Sequence, residues 1–184
     1  MKKLGIIICG LVLMMGCERN IYRFTEGSVY GTVYHVSYQS EVDYTVEIRQ
    51  EMERVNQSLS MFNKESVIAR WNRGESERVD SLFVTMYEKA REVYEATGCG
   101  FDITVAPLVN AWGFGFKNEK LPSDGKIDSL LQYVGMDKVQ LEGVRLVKLV
   151  EGVQIDASSI AKGLGVDLVA EFFDREGVQN YMIE

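Results

Sequence analysis

The stretch Asp156-Ala157-Ser158-Ser159-Ile160-Ala161-Lys162-Gly163 gathers side chains that could do phosphate chemistry. A carboxylate stands at the expected end of a strand. Two hydroxyls follow at the expected start of a helix, and a lysine falls in its first turn. Helix N-termini present unpaired N–H groups and a positive dipole end, so they take up phosphate readily. Lys162 adds a cation, and a diphosphate or metal–diphosphate site is the chemistry this arrangement suits. The segment lacks the spacing of a Walker loop, and Ser158 and Ser159 could equally be plain helix caps. A second carboxylate, Asp102, sits beside Phe101 in a turn containing Gly98 and Gly100. It could accept hydrogen bonds from a ribityl, ribose or ring N–H group, or cap the next element through Thr104. Spacing does not separate these uses.

Other chemistries fit poorly. The only histidine is His35, which argues against zinc sites and Ser-His-Asp catalysis. Cys99 has no obvious base to make it a nucleophile. The net charge is −7, and the chain has no basic cluster, so nucleic acid is not an expected partner.

The elements that must position these residues follow from periodicity. Ser28 to Tyr38 alternates as a strand, with Tyr30, Thr32, Tyr34, Val36 and Tyr38 on one face. Ile48, Met52, Val55 and Leu59 recur at helical spacing. Ser58 to Asn72 reads as a loop. A second helix starts at Asp80 or Ser81, carries Phe83, Met86, Ala90 and Val93, and ends at Gly98. Trp112-Gly113-Phe114-Gly115-Phe116 is dense in aromatics and glycine, and Leu121 to Val134 holds a short helix. Lys138 to Asp156 predicts a meander of three strands turning at Glu142-Gly143 and Glu151-Gly152. A helix from about Ser159 to Arg175 follows, with Ile160, Leu164, Leu168 and Phe172 along its apolar stripe. Asn180 to Glu184 begins another strand, expected beside Val153–Asp156 as in a strand–helix–strand unit. The chain stops inside that element, which leads us to expect a C-terminal truncation.

The N-terminus reads as an export signal. Lys2 and Lys3 precede a twelve-residue apolar stretch, Leu4 to Met15, too short for the roughly 20 residues that span a bilayer. Leu13-Met14-Met15-Gly16-Cys17 resembles a bacterial lipobox, which makes Cys17 the expected lipidation site. The expected layout is a signal peptide at 1–16, a tether at 17–27 and one domain at 28–184. That places the protein in the cell envelope, lipid-anchored and facing the periplasm or exterior.

Four motifs in order carry a family resemblance. They are Tyr30-Gly31-Thr32-Val33-Tyr34 with Leu59-Ser60-Met61-Phe62, Ser66 and Asn72; Thr97 to Gly115; Ile155 to Asp167; and Asn180 to Glu184. Together they resemble the ApbE-type FAD:protein FMN transferases, long labelled thiamine biosynthesis lipoproteins. The resemblance implies an α+β fold whose N-terminal portion has a mixed sheet and flanking helices. It implies cleavage of FAD with magnesium and attachment of FMN to a threonine or serine of a redox-pump flavoprotein subunit. Carried over by motif, Tyr30 and Phe62 line the flavin pocket. Gly100, Phe101 and Asp102 contact FAD, as do Asp156 and Lys162 beside the diphosphate. Ser159 matches a position that supplies a magnesium ligand, and hard oxygen ligands suit that ion. The family's later Asp/Thr cluster has no counterpart in these residues. A flavin-binding lipoprotein without transfer activity and a magnesium-dependent FAD pyrophosphatase are the alternative readings.

Overall fold

A computed structural model describes residues 21–114 and 121–184. The expected signal peptide, Cys17, the first part of the tether and Gly115-Phe116 lie outside the described residues. The fold is α+β. Strands β1 (Tyr22–Val29), β2 (Thr32–Gln39) and β5 (Tyr181–Ile183) form one sheet in the order β1-β2-β5. Strands β3 (Val139–Glu142) and β4 (Arg145–Lys148) form a separate hairpin. All pairing between these strands is antiparallel. The helices are α1 (Thr45–Leu59), α2 (Val67–Asn72), α3 (Ser81–Ala96), α4 (Ala106–Ala111), α5 (Asp124–Leu131) and α6 (Ala161–Arg175).

Several elements form as their patterns predict. Helix α1 buries Ile48, Met52, Val55 and Leu59. Asp80 caps α3 by accepting from the Phe83 amide at 2.8 Å, and Gly98 after its end takes φ +58°, which a glycine adopts without strain. Helix α6 buries Leu168, Val169, Phe172 and Phe173.

Five expectations need correction. Residues 22–27, expected in the tether, belong to β1, which pairs along its length with β2. Tyr30 is not on a strand face. It sits in the β1–β2 turn with φ +54°, and Thr32 is exposed while Tyr34, Val36 and Tyr38 are buried. The expected loop 58–72 contains α2, capped by Ser66 accepting from the Ala69 amide. Among the described residues the third meander strand makes one parallel bridge, Gln154 to Val105, and no ladder. Strand β5 pairs with β2 rather than beside residues 153–156.

The core has two parts. One gathers Tyr34, Val36, Tyr38, Ile48, Phe172 and Phe173 between the sheet, α1 and α6. The other packs Trp71, Phe83, Tyr87, Met136, Leu146 and Ile155 between α2, α3 and the β3–β4 hairpin. Tyr30 touches both. The first aligns α6 on the sheet, and the second brings α2 against the segment that feeds α6.

Candidate functional site

Residues 153–163 run from a cleft to the tip of α6. Val153, Ile155 and Ala157 are fully buried, so alternate residues Gln154 and Asp156 turn toward more open surroundings. The Asp156 amide donates to the Ile103 carbonyl at 2.7 Å. Its Oδ1 accepts from the Ser158 amide at 2.7 Å, closing a tight turn. The structure therefore brings two distant motifs, 100–104 and 154–159, side by side.

The start of α6 is left open. Neither Ser158 nor Ser159 caps it, because Ile160 holds the cap position without a side-chain bond. Ser158, Ser159, Lys162 and Gly163 are all exposed. The Lys162 and Gly163 amides find no backbone acceptor among the described residues. A Cβ placed on Gly163 would meet nothing within 4 Å. Free amide donors, a lysine and open space make this a place where an anion can approach the backbone.

Asp102 is partly engaged elsewhere. Its Oδ1 accepts from both the Thr104 amide (2.7 Å) and the Thr104 hydroxyl (2.6 Å). Thr104 is fully buried, and its hydroxyl also accepts from the Gly135 amide at 2.7 Å. The local bond to Thr104 that spacing left open is thus present, but it caps no helix, since α4 starts after Val105 without a side-chain cap bond. Phe101 packs against the core and its amide donates to the Thr97 hydroxyl at 3.1 Å, while Gly100 lies at the surface. Tyr30 reaches under the first turns of α6, where its hydroxyl donates to the Met52 carbonyl at 2.7 Å. Burial, with Glu53 adding to it, holds that hydroxyl well above the ordinary tyrosine range.

A cleft of about 900 Å³ opens beside this segment, within the range usual for small-molecule sites. Its walls include Phe62, Asn72, Pro107, Asn110, Tyr133 and Gln154. Of the expected site residues only Phe62 lines it, 69% exposed. Tyr30, Gly100, Phe101, Asp102, Asp156, Ser159 and Lys162 do not. Asn72, Lys64, Arg73 and Lys126 were not singled out by sequence as site residues, although all line the cleft. Asn72 alone had a signal, its place in the first motif.

The donor set for a metal is small. Among the described residues no group of three or more His, Cys, Asp or Glu could hold an ion. Ser159 and Asp156 offer hard oxygens, and magnesium usually takes one or two carboxylates plus substrate phosphates and waters. These residues suit an ion that arrives with a phosphate better than one in a protein cage.

Comparison with known proteins decides the family, since the ApbE family model matches residues 30–184. The chain belongs to the ApbE family. It is similar to the FAD:protein FMN transferase of Vibrio cholerae, 31% identical over all of this chain and 59% of the relative. The Haemophilus influenzae protein of the same name is 34% identical with the same coverage. Among solved structures, the flavin transferase ApbE from Vibrio cholerae superposes with a TM-score of 0.84 at 31% identity, over 89% of this chain and 57% of that one. The apo flavinyl transferase ApbE of Pseudomonas stutzeri also gives 0.84 at 28% identity, over 92% and 58%. The chain thus spans about six-tenths of the length of the relatives it matches, and within that span the ApbE fold is present.

Proposed function

We propose that the whole protein is an FAD:protein FMN transferase of the cell envelope. The observation that carries this is the open start of α6, where two amides without a backbone acceptor among the described residues and Lys162 follow Asp156 beside a cleft of cofactor size. In the proposed reaction a threonine or serine hydroxyl of an acceptor flavoprotein, such as a redox-pump subunit, attacks the FMN-side phosphorus of FAD. A new P–O bond forms, the diphosphate P–O bond breaks, AMP leaves and the hydroxyl proton is released. Phosphoryl transfer of this kind depends on positioning and on charge stabilisation. Lys162 and the α6 amides bind and orient the diphosphate, Phe62 offers an aromatic face for a planar ring, and Asp156 sets the turn that holds the helix start. Magnesium, when bound with the phosphates near Ser159 and Asp156, would offset their charge.

Attachment to a membrane belongs to the same proposal. No described helix is long and apolar enough to cross a bilayer, and the lipobox-like Gly16-Cys17 supports a lipid anchor at Cys17. Stable anchoring needs more than one acyl chain, so mature protein should carry a multiply acylated Cys17, and mass spectrometry of the membrane fraction reads this directly.

The activity is tested by incubating the full-length protein with FAD, magnesium and a threonine-bearing acceptor. Flavin fluorescence on the acceptor in a denaturing gel is the expected result. Release of FMN and AMP without labelling would favour a pyrophosphatase, and recovery of intact FAD would favour a flavin-binding protein.

A further inference from the structure

Among the described residues, 153–156 pair with no strand beyond the single bridge of Gln154 to Val105, and a side chain does a strand's work for them. Asn72 donates from Nδ2 to the Ile155 carbonyl at 2.9 Å and accepts at Oδ1 from the Ile155 amide at 2.8 Å. This is the paired exchange that a residue of a neighbouring antiparallel strand would make, supplied by a side-chain amide that carries donor and acceptor side by side. With the Asp156 amide bound to Ile103, three hydrogen bonds set where the turn into α6 begins. Asn72 is itself held from behind. Lys148 Nζ donates to its carbonyl at 3.0 Å and lies 4.5 Å over the Trp71 ring. The Trp71 indole in turn donates to the Leu146 carbonyl at 2.7 Å. On its other side Asn72 forms part of the cleft wall. One residue therefore touches both the cleft and the backbone that leads to the α6 tip.

We infer that Asn72 is a positioning residue for the diphosphate of the flavin nucleotide. It keeps Asp156 and the amide-bearing start of α6 in register with the cleft, so that a ligand seated in the cleft reaches those amides with its phosphates. This rests on the flavin reading above. A ligand that carries the ring without the diphosphate meets Asn72 only as part of the cleft wall and depends on it less.

The test measures FAD and riboflavin affinities by quenching of flavin fluorescence in the full-length protein. The variants are Asn72→Asp, Asn72→Ala, Lys162→Ala and the double variant Asn72→Asp/Lys162→Ala. Asn72→Asp keeps size and acceptor but sets a charged oxygen against the Ile155 carbonyl. It should weaken FAD about tenfold, a typical loss for one broken, partly buried hydrogen bond, and leave riboflavin within about twofold. The double variant should lose less than the two single losses combined, because both residues act on one phosphate contact. Asn72→Ala introduces no charge and is read by the same criteria if Asn72→Asp does not fold. Equal losses for the two ligands, or strict additivity, would overturn the inference while the flavin reading stands. A wild-type protein that binds FAD no tighter than riboflavin would overturn the flavin-diphosphate reading, and this inference with it.

Discussion

The Tyr30 hydroxyl lies over the bare α-carbon of Gly165, so that a Cβ there would come within 2.9 Å of the oxygen and 3.1 Å of the ring. The hydroxyl has little freedom to retreat, because it is bonded to the Met52 carbonyl. Gly165 lies inside α6 and is buried. Alanine is better than glycine in a helix by about 1 kcal/mol, whereas forcing a methyl into packed space costs about 1–3 kcal/mol. The second effect wins here. Gly165→Ala should lower stability by roughly 1 kcal/mol, net of these two contributions. Gly163→Ala, which meets open space, should raise stability by up to about 1 kcal/mol. Urea denaturation of both variants checks the pair, and stabilisation by Gly165→Ala would show that Tyr30 yields easily.

Tyr30 also makes a pH-dependent contribution. The unfolded chain loses this proton near pH 10, while the folded chain keeps it to higher pH because the hydroxyl is buried. The folded state then binds more protons, so this contribution is complete below pH 10 and declines as pH rises further. Tyr30→Phe should cost about 1 kcal/mol at pH 7 through the lost bond to Met52. Its deficit relative to wild type should shrink above pH 10. A deficit that stays constant from about pH 8 to 11 would contradict the ionisation argument.

Thr104 joins the Asp102 turn to the Gly135 backbone from a fully buried position. Thr104→Val keeps the shape but leaves the Gly135 amide without that acceptor. The expected loss is about 1–3 kcal/mol, read as a drop in melting temperature. Because Asp102 loses one of its two Thr104 bonds, the variant should also alter FAD affinity if that carboxylate contacts the ligand.

How much was legible in the sequence depended on who supplies the partners. Helices α1, α3 and α6 carry their apolar stripes locally, and Asp80 announces its cap. Strand β1 escaped because its inward residues, Arg23, Thr25 and Gly27, have no apolar alternation. A Cβ on Gly27 would strike Tyr34 within 2.7 Å, so bulk is excluded there by tertiary packing. Residues 153–156 read as a strand by apolarity, yet their backbone partners are the Asn72 side chain and Ile103, which no period reveals. The α6 start was recognisable by residue type. That its serines would leave it uncapped was not, because Asp156 takes the turn instead. The cleft was legible only at Phe62 and, through its place in the same motif, at Asn72, since its walls come from four separated stretches.

In the function we propose, the start of α6 receives the diphosphate of FAD. Calorimetric titration of Lys162→Ala and wild type with FAD and with riboflavin tests it most directly. A charge-assisted contact of this kind contributes about 1.5–3 kcal/mol, so the substitution should weaken FAD by about one to two orders of magnitude and leave riboflavin unchanged. Equal weakening of both ligands, or no change for FAD, would contradict the account.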